Sequence, residues 1–292
     1  MRATLRPPQR PLKYRDEARN LLGVAYEARM LQSVLGVDVW SLLLGIGAGL
    51  ACGFLNAAAS AGSAVALPML MVIGLDPLTA NATNRVPVLI GAVAATIGFQ
   101  GKKAIPWPLA AKIGIPVTIG ALAGAALAET VPGRDFALIV TAAVLVALLL
   151  VLSKLREAIE SAVPNKVHYR PRDIALFLLI GAWVGFISID GATYMLLALV
   201  LAVGLPLVQA NAVKIVVAIP MTVIALAVFT YKGSVDWGMG AVMSAGSIIG
   251  GYLGARFATS PAGRKGVFYI LVTILLAELV HLTLHYGFHT YY

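Results

Sequence analysis

The chain has 292 residues, 60% of them hydrophobic and 12% charged, with a net charge of +9 and a mean hydropathy of +0.88. A soluble domain carries about 25% charged residues, so this chain lacks the polar surface to face water on every side. The basic excess lies in separate segments rather than on one face, which argues against nucleic acid as a partner and for lipid headgroups.

The first 38 residues hold seven of the basic side chains: Arg2, Arg6, Arg10, Lys13, Arg15, Arg19 and Arg29. Charge continues too long before any apolar core, and no small-residue cleavage site follows, so a secretory signal peptide is not expected. Within Tyr14–Leu35, Leu21, Leu22, Ala25, Ala28, Leu31 and Leu35 recur at helical spacing against a polar face. That spacing predicts an amphipathic helix on the cytoplasmic membrane surface, or a docking helix for another protein. Cys52 is the sole cysteine, so no intrachain disulfide is expected.

Apolar runs follow at about 39–56, 60–75, 79–100, 107–128 and 135–153, and again at about 173–188, 191–205, 208–230, 237–258 and 266–286. Long apolar runs of this kind read as membrane helices. Five runs, a loop and five more runs indicate a duplication. With an offset of 130, residues 74–128 match 204–258 at 17 of 55 positions, including Asn81 with Asn211, Lys102 with Lys232 and Trp107 with Trp237. Polar matches of this sort are not a product of apolar composition. Upstream, Gly53-Phe54 aligns with Gly185-Phe186 at an offset of 132. The expected architecture is all-α: a polytopic transmembrane bundle of two homologous repeats, with 8–10 membrane segments and interrupted or re-entrant helices opening each repeat. Its parts are a surface segment (1–38), repeat 1 (39–153), a basic linker (154–172), repeat 2 (173–287) and a tail (288–292).

Each repeat opens with two short apolar runs separated by small and polar residues, Asn56–Ser63 in one and Ser188–Tyr194 in the other. Paired interruptions at matching places are the best sequence pointer to a transporter's binding site. Lipid offers a broken helix no hydrogen-bond partners, so such a break has to line a cavity or be buried in protein. A half-helix N-terminus there would draw an anion. Ordinary turns outside the membrane are the alternative. On crossing number two rules disagree. Counting spans gives five crossings per half, inverted halves and the Lys154–Arg172 loop outside. The positive-inside rule favours an even count with one run re-entrant, and this is the count expected here. Both put the termini in the cytoplasm, on a multi-pass protein of the inner cell membrane.

Arg85 and Lys214 lie near the starts of long apolar helices, where a cation costs about 2.5–3.5 kcal/mol on the insertion scale. An anionic substrate would offset that cost; snorkelling to headgroups is the alternative. Asp190, inside the second break, is a candidate for proton coupling or for a salt bridge to Lys214. Asn56, Ser60, Ser63, Asn81, Asn84, Ser188, Thr193 and Asn211 are candidate neutral ligands for oxyanion oxygens, or helix caps. The Gly120/Gly124 and Gly250/Gly254 pairs read as close helix contacts. Glu278, His281, His285 and His289 share a helical face, but at an interfacial helix end no metal site or other cofactor is expected.

These features in order resemble the TauE/SafE sulfite exporter family, also called the 4-toluene sulfonate uptake permease family. The matching elements are Gly53-Phe54 and Gly185-Phe186, Gly74-Leu75 and Gly204-Leu205, Asn81–Asn84 and Asn211–Lys214, Lys102–Trp107 and Lys232–Trp237, and the two Gly-x-x-x-Gly-Ala helices. They extend over about residues 40–286. The family's Gly-Gly-Gly run is here Ser60-Ala-Gly62-Ser63 and Asp190-Gly191-Ala, a departure that bears on substrate rather than fold. The resemblance implies a secondary transporter of sulfite, organosulfonates or similar small anions between the repeats, with an ion gradient as a coupling option and a homodimer as an allowed state. A membrane scaffold recruiting a partner through the N-terminal helix is the alternative. An enzyme is not expected, since no His-Glu-x-x-His, Gly-x-Ser-x-Gly or paired intramembrane aspartates are present, and without a P-loop the chain is not expected to power transport by ATP.

Overall fold

Every apolar run from residue 39 to 128 and from 171 to 258 becomes a helix in the computed structural model, which describes residues 39–131, 167–188, 191–261 and 263. The expected surface helix, the runs at 135–153 and 266–286, the histidine face and Asp190 lie outside the described residues. The chain divides into two units, residues 1–43 and 44–292. Of the first, only the opening of one helix is described, and the packing below is that of the second.

The first five helices are α1 (Val39–Ala59), α2 (Gly62–Val72), α3 (Pro77–Thr83), α4 (Arg85–Gln100) and α5 (Trp107–Ala128). Next come α6 (Pro171–Phe186), α7 (Gly191–Leu197) with a π-helical turn at Ala198–Ala202, α8 (Leu207–Tyr231) and α9 (Trp237–Ala258). The described residues form no strand. Local chemistry explains several boundaries. The Asp76 carboxylate accepts from the Leu78 and Thr79 amides, both at 3.1 Å, with Pro77 at the first helical position. Asp236 caps α9 in the same way through the Met239 amide. Gly74 and Gly204 close their turns at φ +110° and +80°, a conformation glycine adopts without penalty.

Four described stretches are long and apolar enough to cross a membrane: Trp40–Ala59, Pro77–Gln100, Trp107–Ala128 and Leu207–Tyr231. The outward faces are apolar too. Leu179 is 67% exposed, and Ile115, Ile119, Ile248 and Ile249 are exposed beside it in kind. In water such a surface would aggregate; in lipid it is the solvated face. Trp107 and Trp237 begin their helices half-exposed, as residues of an interfacial belt do. Inside, Phe99, Ile113, Val117, Phe177, Met195 and Val213 form a continuous core across α4, α5, α6, α7 and α8.

Glycine sets the helix directions. A methyl group added to Gly120 would strike the Leu178 carbonyl, and one on Gly124 the Ala182 carbonyl. From the other side, Gly181 abuts Val117 and Gly185 abuts Ala121. Contacts that climb together along both sequences mean that α5 and α6 run parallel with backbones touching. In α9, Gly246 meets Ile46, Gly250 meets Leu50 and Gly254 meets Phe54, so α9 runs parallel to α1. Helix α4 joins the same set, Gly91 lying against Ser247 and Gly98 against Ala255. A six-residue connection turns α4 back into α5. It follows that α1 and α6, which open the two halves, point in opposite directions.

The packing also corrects the alignment upstream of residue 74. Gly120 rests on Leu178, whereas Gly250, its match at offset 130, rests on Leu50. Leu50 therefore plays the part of Leu178, an offset of 128 rather than the 132 given by the Gly-Phe pairs. The difference is one helical turn.

These contacts leave no room for a side chain. Gly124→Val and Gly250→Val are expected to cost about 3 kcal/mol or more, lowering the melting temperature of detergent-solubilised protein by roughly 6–12 °C. Gly47→Val, where an added Cβ meets nothing within 4 Å, should melt with the parent chain.

Candidate functional site

Helix α1 ends at Ala59 because Ser60 takes a left-handed conformation, φ 64°, unusual for a residue other than glycine. Two carbonyls of the last turn are met by α8. Lys214 Nζ donates to Asn56 O at 2.6 Å, and Asn211 Nδ2 donates to Ala58 O at 3.3 Å. The same ammonium donates to Ser60 Oγ at 2.7 Å and to Asn211 Oδ1 at 2.9 Å. An ammonium has three N–H groups. All three are taken by protein.

Helix α6 ends at Phe186, and each of its last four carbonyls is satisfied. Trp183 O accepts from the Ile187 amide at 2.8 Å. Val184 O accepts from Arg85 Nη1 at 3.0 Å and Gly185 O from Arg85 Nη2 at 2.6 Å. Phe186 O accepts from Asn81 Nδ2 at 3.1 Å, while Asn81 Oδ1 receives the Ser188 amide at 2.8 Å. The two breaks are held alike. Asn81 reaches Phe186 as Asn211 reaches Ala58, and Arg85 reaches Val184 as Lys214 reaches Asn56, each acceptor pair 128 residues apart. Each cation thus sits at the negative end of a helix dipole.

Asn84 ties the breaks together. Its Nδ2 donates to Ser63 Oγ at 3.0 Å and to Ser188 Oγ at 2.9 Å, and its Oδ1 accepts from the Cys52 thiol, Sγ lying at 3.7 Å. At the head of α2, Asn56 Oδ1 accepts the Gly62 amide at 3.0 Å. The expectation that positive charge would come from free half-helix N-termini is therefore modified. The site's charge is carried by Arg85 and Lys214, brought there by helix C-termini.

Between these groups lies a cavity bordered by Asn56, Ser63, Arg85, Ser188 and Lys214, with Val88, Ile215, Ala218 and Met221 as its apolar wall. No carboxylate lines it among the described residues. Of the candidates read from the sequence, Ser60, Asn81, Asn84 and Asn211 do not line the cavity but hold the groups that do. Thr193 is buried and not among the lining residues, its hydroxyl without a partner among the described residues. Arg85 and Lys214 are each 2% exposed, too deep to snorkel.

Sequence reasoning missed three contributors. Thr222 lines the cavity two turns beyond Lys214, where helical periodicity would have placed it on the same face. Phe229 lies under the Arg85 guanidinium, 4.8 Å from ring centroid to Cζ. Cys52 is buried against Asn84, and nothing in its apolar run signalled that contact.

Residues 45–279 match the protein family described as Sulfite exporter TauE/SafE. Among curated relatives, a probable membrane transporter protein ORF9 from Sinorhizobium sp is 25% identical over 230 residues, spanning 79% of this chain and 87% of the relative. A probable membrane transporter protein from Haemophilus influenzae is 27% identical over 222 residues, 76% of this chain and 86% of the relative. The probable membrane transporter protein YfcA of Escherichia coli is 26% identical over 234 residues, 78% and 86%. No solved structure matches. With apolar outward faces, membrane-length helices and a family match over residues 45–279, this chain is a multi-pass membrane protein of the TauE/SafE sulfite exporter family.

Proposed function

We propose that the chain is a secondary permease that carries small anions, sulfite or organosulfonate-like sulfur compounds, through the cavity between two inverted repeats. The observation that carries this reading is a cavity inside the helical bundle bordered by two buried cations and by hydroxyls from both helix breaks, with no carboxylate among its described lining residues. Such a site has an excess of positive charge, and a low-dielectric surround strengthens its attraction for an anion. Residues 39–153 and 173–287 are the repeats, joined by the basic linker 154–172.

The opposite directions of α1 and α6 and the matching carbonyl clamps support that arrangement. In it, α1–α2 and α6–α7 are hairpins dipping into the bundle from opposite sides, and their tips meet at the cavity. Inverted repeats with discontinuous helices at the midplane are a known way to build alternating access. Asp190, adjoining the second tip in sequence, is the proposed proton-coupling group. Both termini are placed in the cytoplasm of an inner-membrane protein, with the linker outside.

Three measurements test this. Proteoliposomes holding the full chain should take up sulfite, thiosulfate or a simple sulfonate faster than empty vesicles, and more so with a pH gradient; flux equal to empty vesicles would remove the permease reading. Asp190→Asn should abolish the response to the gradient while anion exchange persists. An alkaline phosphatase fusion at Val163 should be active and a green fluorescent protein fusion there dark; the reverse pattern would refute the inverted topology. Separately, Asn81→Ala leaves the Phe186 carbonyl and the Ser188 amide without partners, so it should cost about 2–4 kcal/mol in thermal unfolding, with Asn81→Asp losing only part of that.

A further inference from the structure

Arg85 and Lys214 look equivalent in sequence, yet their hydrogen-bond valences differ. Lys214 spends all three N–H groups on Asn56 O, Ser60 Oγ and Asn211 Oδ1. Arg85 has five N–H groups and commits one from Nη1 and one from Nη2 to the α6 carbonyls. Its Nε is buried and has no partner among the described residues. A buried donor left unpaired carries the full desolvation cost of the group, here on a side chain 2% exposed that borders the cavity. The guanidinium plane is fixed on one side by the Val184 and Gly185 carbonyls and across its face by Phe229.

We infer that Arg85 is the anion's direct ligand, binding two oxygens of one oxyanion centre through its Nε edge, and that Lys214 is a positioning residue that holds the α1 break. This rests on the permease reading and deepens it. Nε–H and the neighbouring Nη–H form a planar fork whose spacing matches two oxygens on a single sulfur or carbon. A halide offers one sphere and gains only one good bond from such a fork. The site therefore selects sulfonate or carboxylate headgroups over halides by shape at equal charge, and sulfite by the same two-oxygen geometry. Lys214 contributes its field to the cavity, but a ligand could reach its nitrogen only by displacing Asn56, Ser60 or Asn211.

The test uses the full chain in proteoliposomes and in detergent. Arg85→Lys keeps the charge and removes the fork, so KM for sulfite should rise at least about tenfold with a smaller change in Vmax. Lys214→Gln removes a charge from the cavity's field and a clamp from the α1 break, so it should lower the folded yield or Vmax and raise KM by less than Arg85→Lys does. In the parent protein, methanesulfonate should compete with sulfite uptake and an equal concentration of chloride should not. A KM unchanged by Arg85→Lys, a KM raised as much by Lys214→Gln, or chloride competing as well as methanesulfonate would each overturn the assignment. The competition arm needs no variant, so misfolding of Arg85→Lys does not shield the proposal. If parent vesicles carry no anion, the permease reading fails by itself. Thermal stabilisation by sulfite in detergent, lost in Arg85→Lys, would still uphold the ligand role, and its absence from the parent protein would end it.

Discussion

A helix that stops inside a membrane leaves carbonyls that lipid cannot hydrogen-bond, at several kcal/mol each. A helix end buried in protein meets the same constraint, and the centre of this bundle is organised around it. Helices α1 and α6 stop at Ala59 and Phe186, and side chains from α3, α4 and α8 come to their ends. A cation alone at this depth is costly as well. Brought together, the two costs offset each other, since the partial negative charge of a helix C-terminus is the partner a buried cation requires. Arg85 and Lys214 are thus stable in place before any substrate is considered.

The glycine contacts make that arrangement reachable. Backbones that touch along α5–α6 and along α1–α9 form two stiff pairs, each built from the last described helix of one half and the first helix of the other. The break in α1 is thereby held by α9 along its length and by α8 at its tip; the break in α6 is held by α5 and by α3–α4. Each half supplies the clamp for the other's interruption. Local contacts, such as Asn56 with the Gly62 amide and Trp183 O with the Ile187 amide, satisfy only part of each break.

Much of this was legible in the sequence. Helix positions followed from apolar runs, the breaks from clustered small and polar residues, and the clamp residues from polar side chains surviving in an apolar repeat. Three things were not. Glycines spaced four apart at Gly49/Gly53 and Gly181/Gly185 let an alignment slip by one turn at little loss of identity, and Gly-Phe took the wrong register. Helix direction depends on which glycine rows meet, which no single stretch records. Hydrogen-bond valence is a matter of geometry, so a lysine and an arginine at neighbouring repeat positions read alike until their partners are counted.

The departures from symmetry carry as much as the symmetry. At offset 130, Lys214 corresponds to Asn84, and Arg85 corresponds to Ile215. Where one half presents a guanidinium to the cavity, the other presents a branched alkyl group, and both line it. Asn84, in the place of the second lysine, spends its amide joining Ser63 to Ser188 across the two breaks. A strictly symmetric pair would set two equal cations at each break and give an anion two competing resting places. Replacing one of each pair concentrates the unpaired donor on the α4 side and leaves the α8 wall apolar around Ile215, Ala218 and Met221. The carbonyl clamps match at the two helix ends, while the cavity lining does not: Arg85 borders it from α4 where Ile215 borders it from α8.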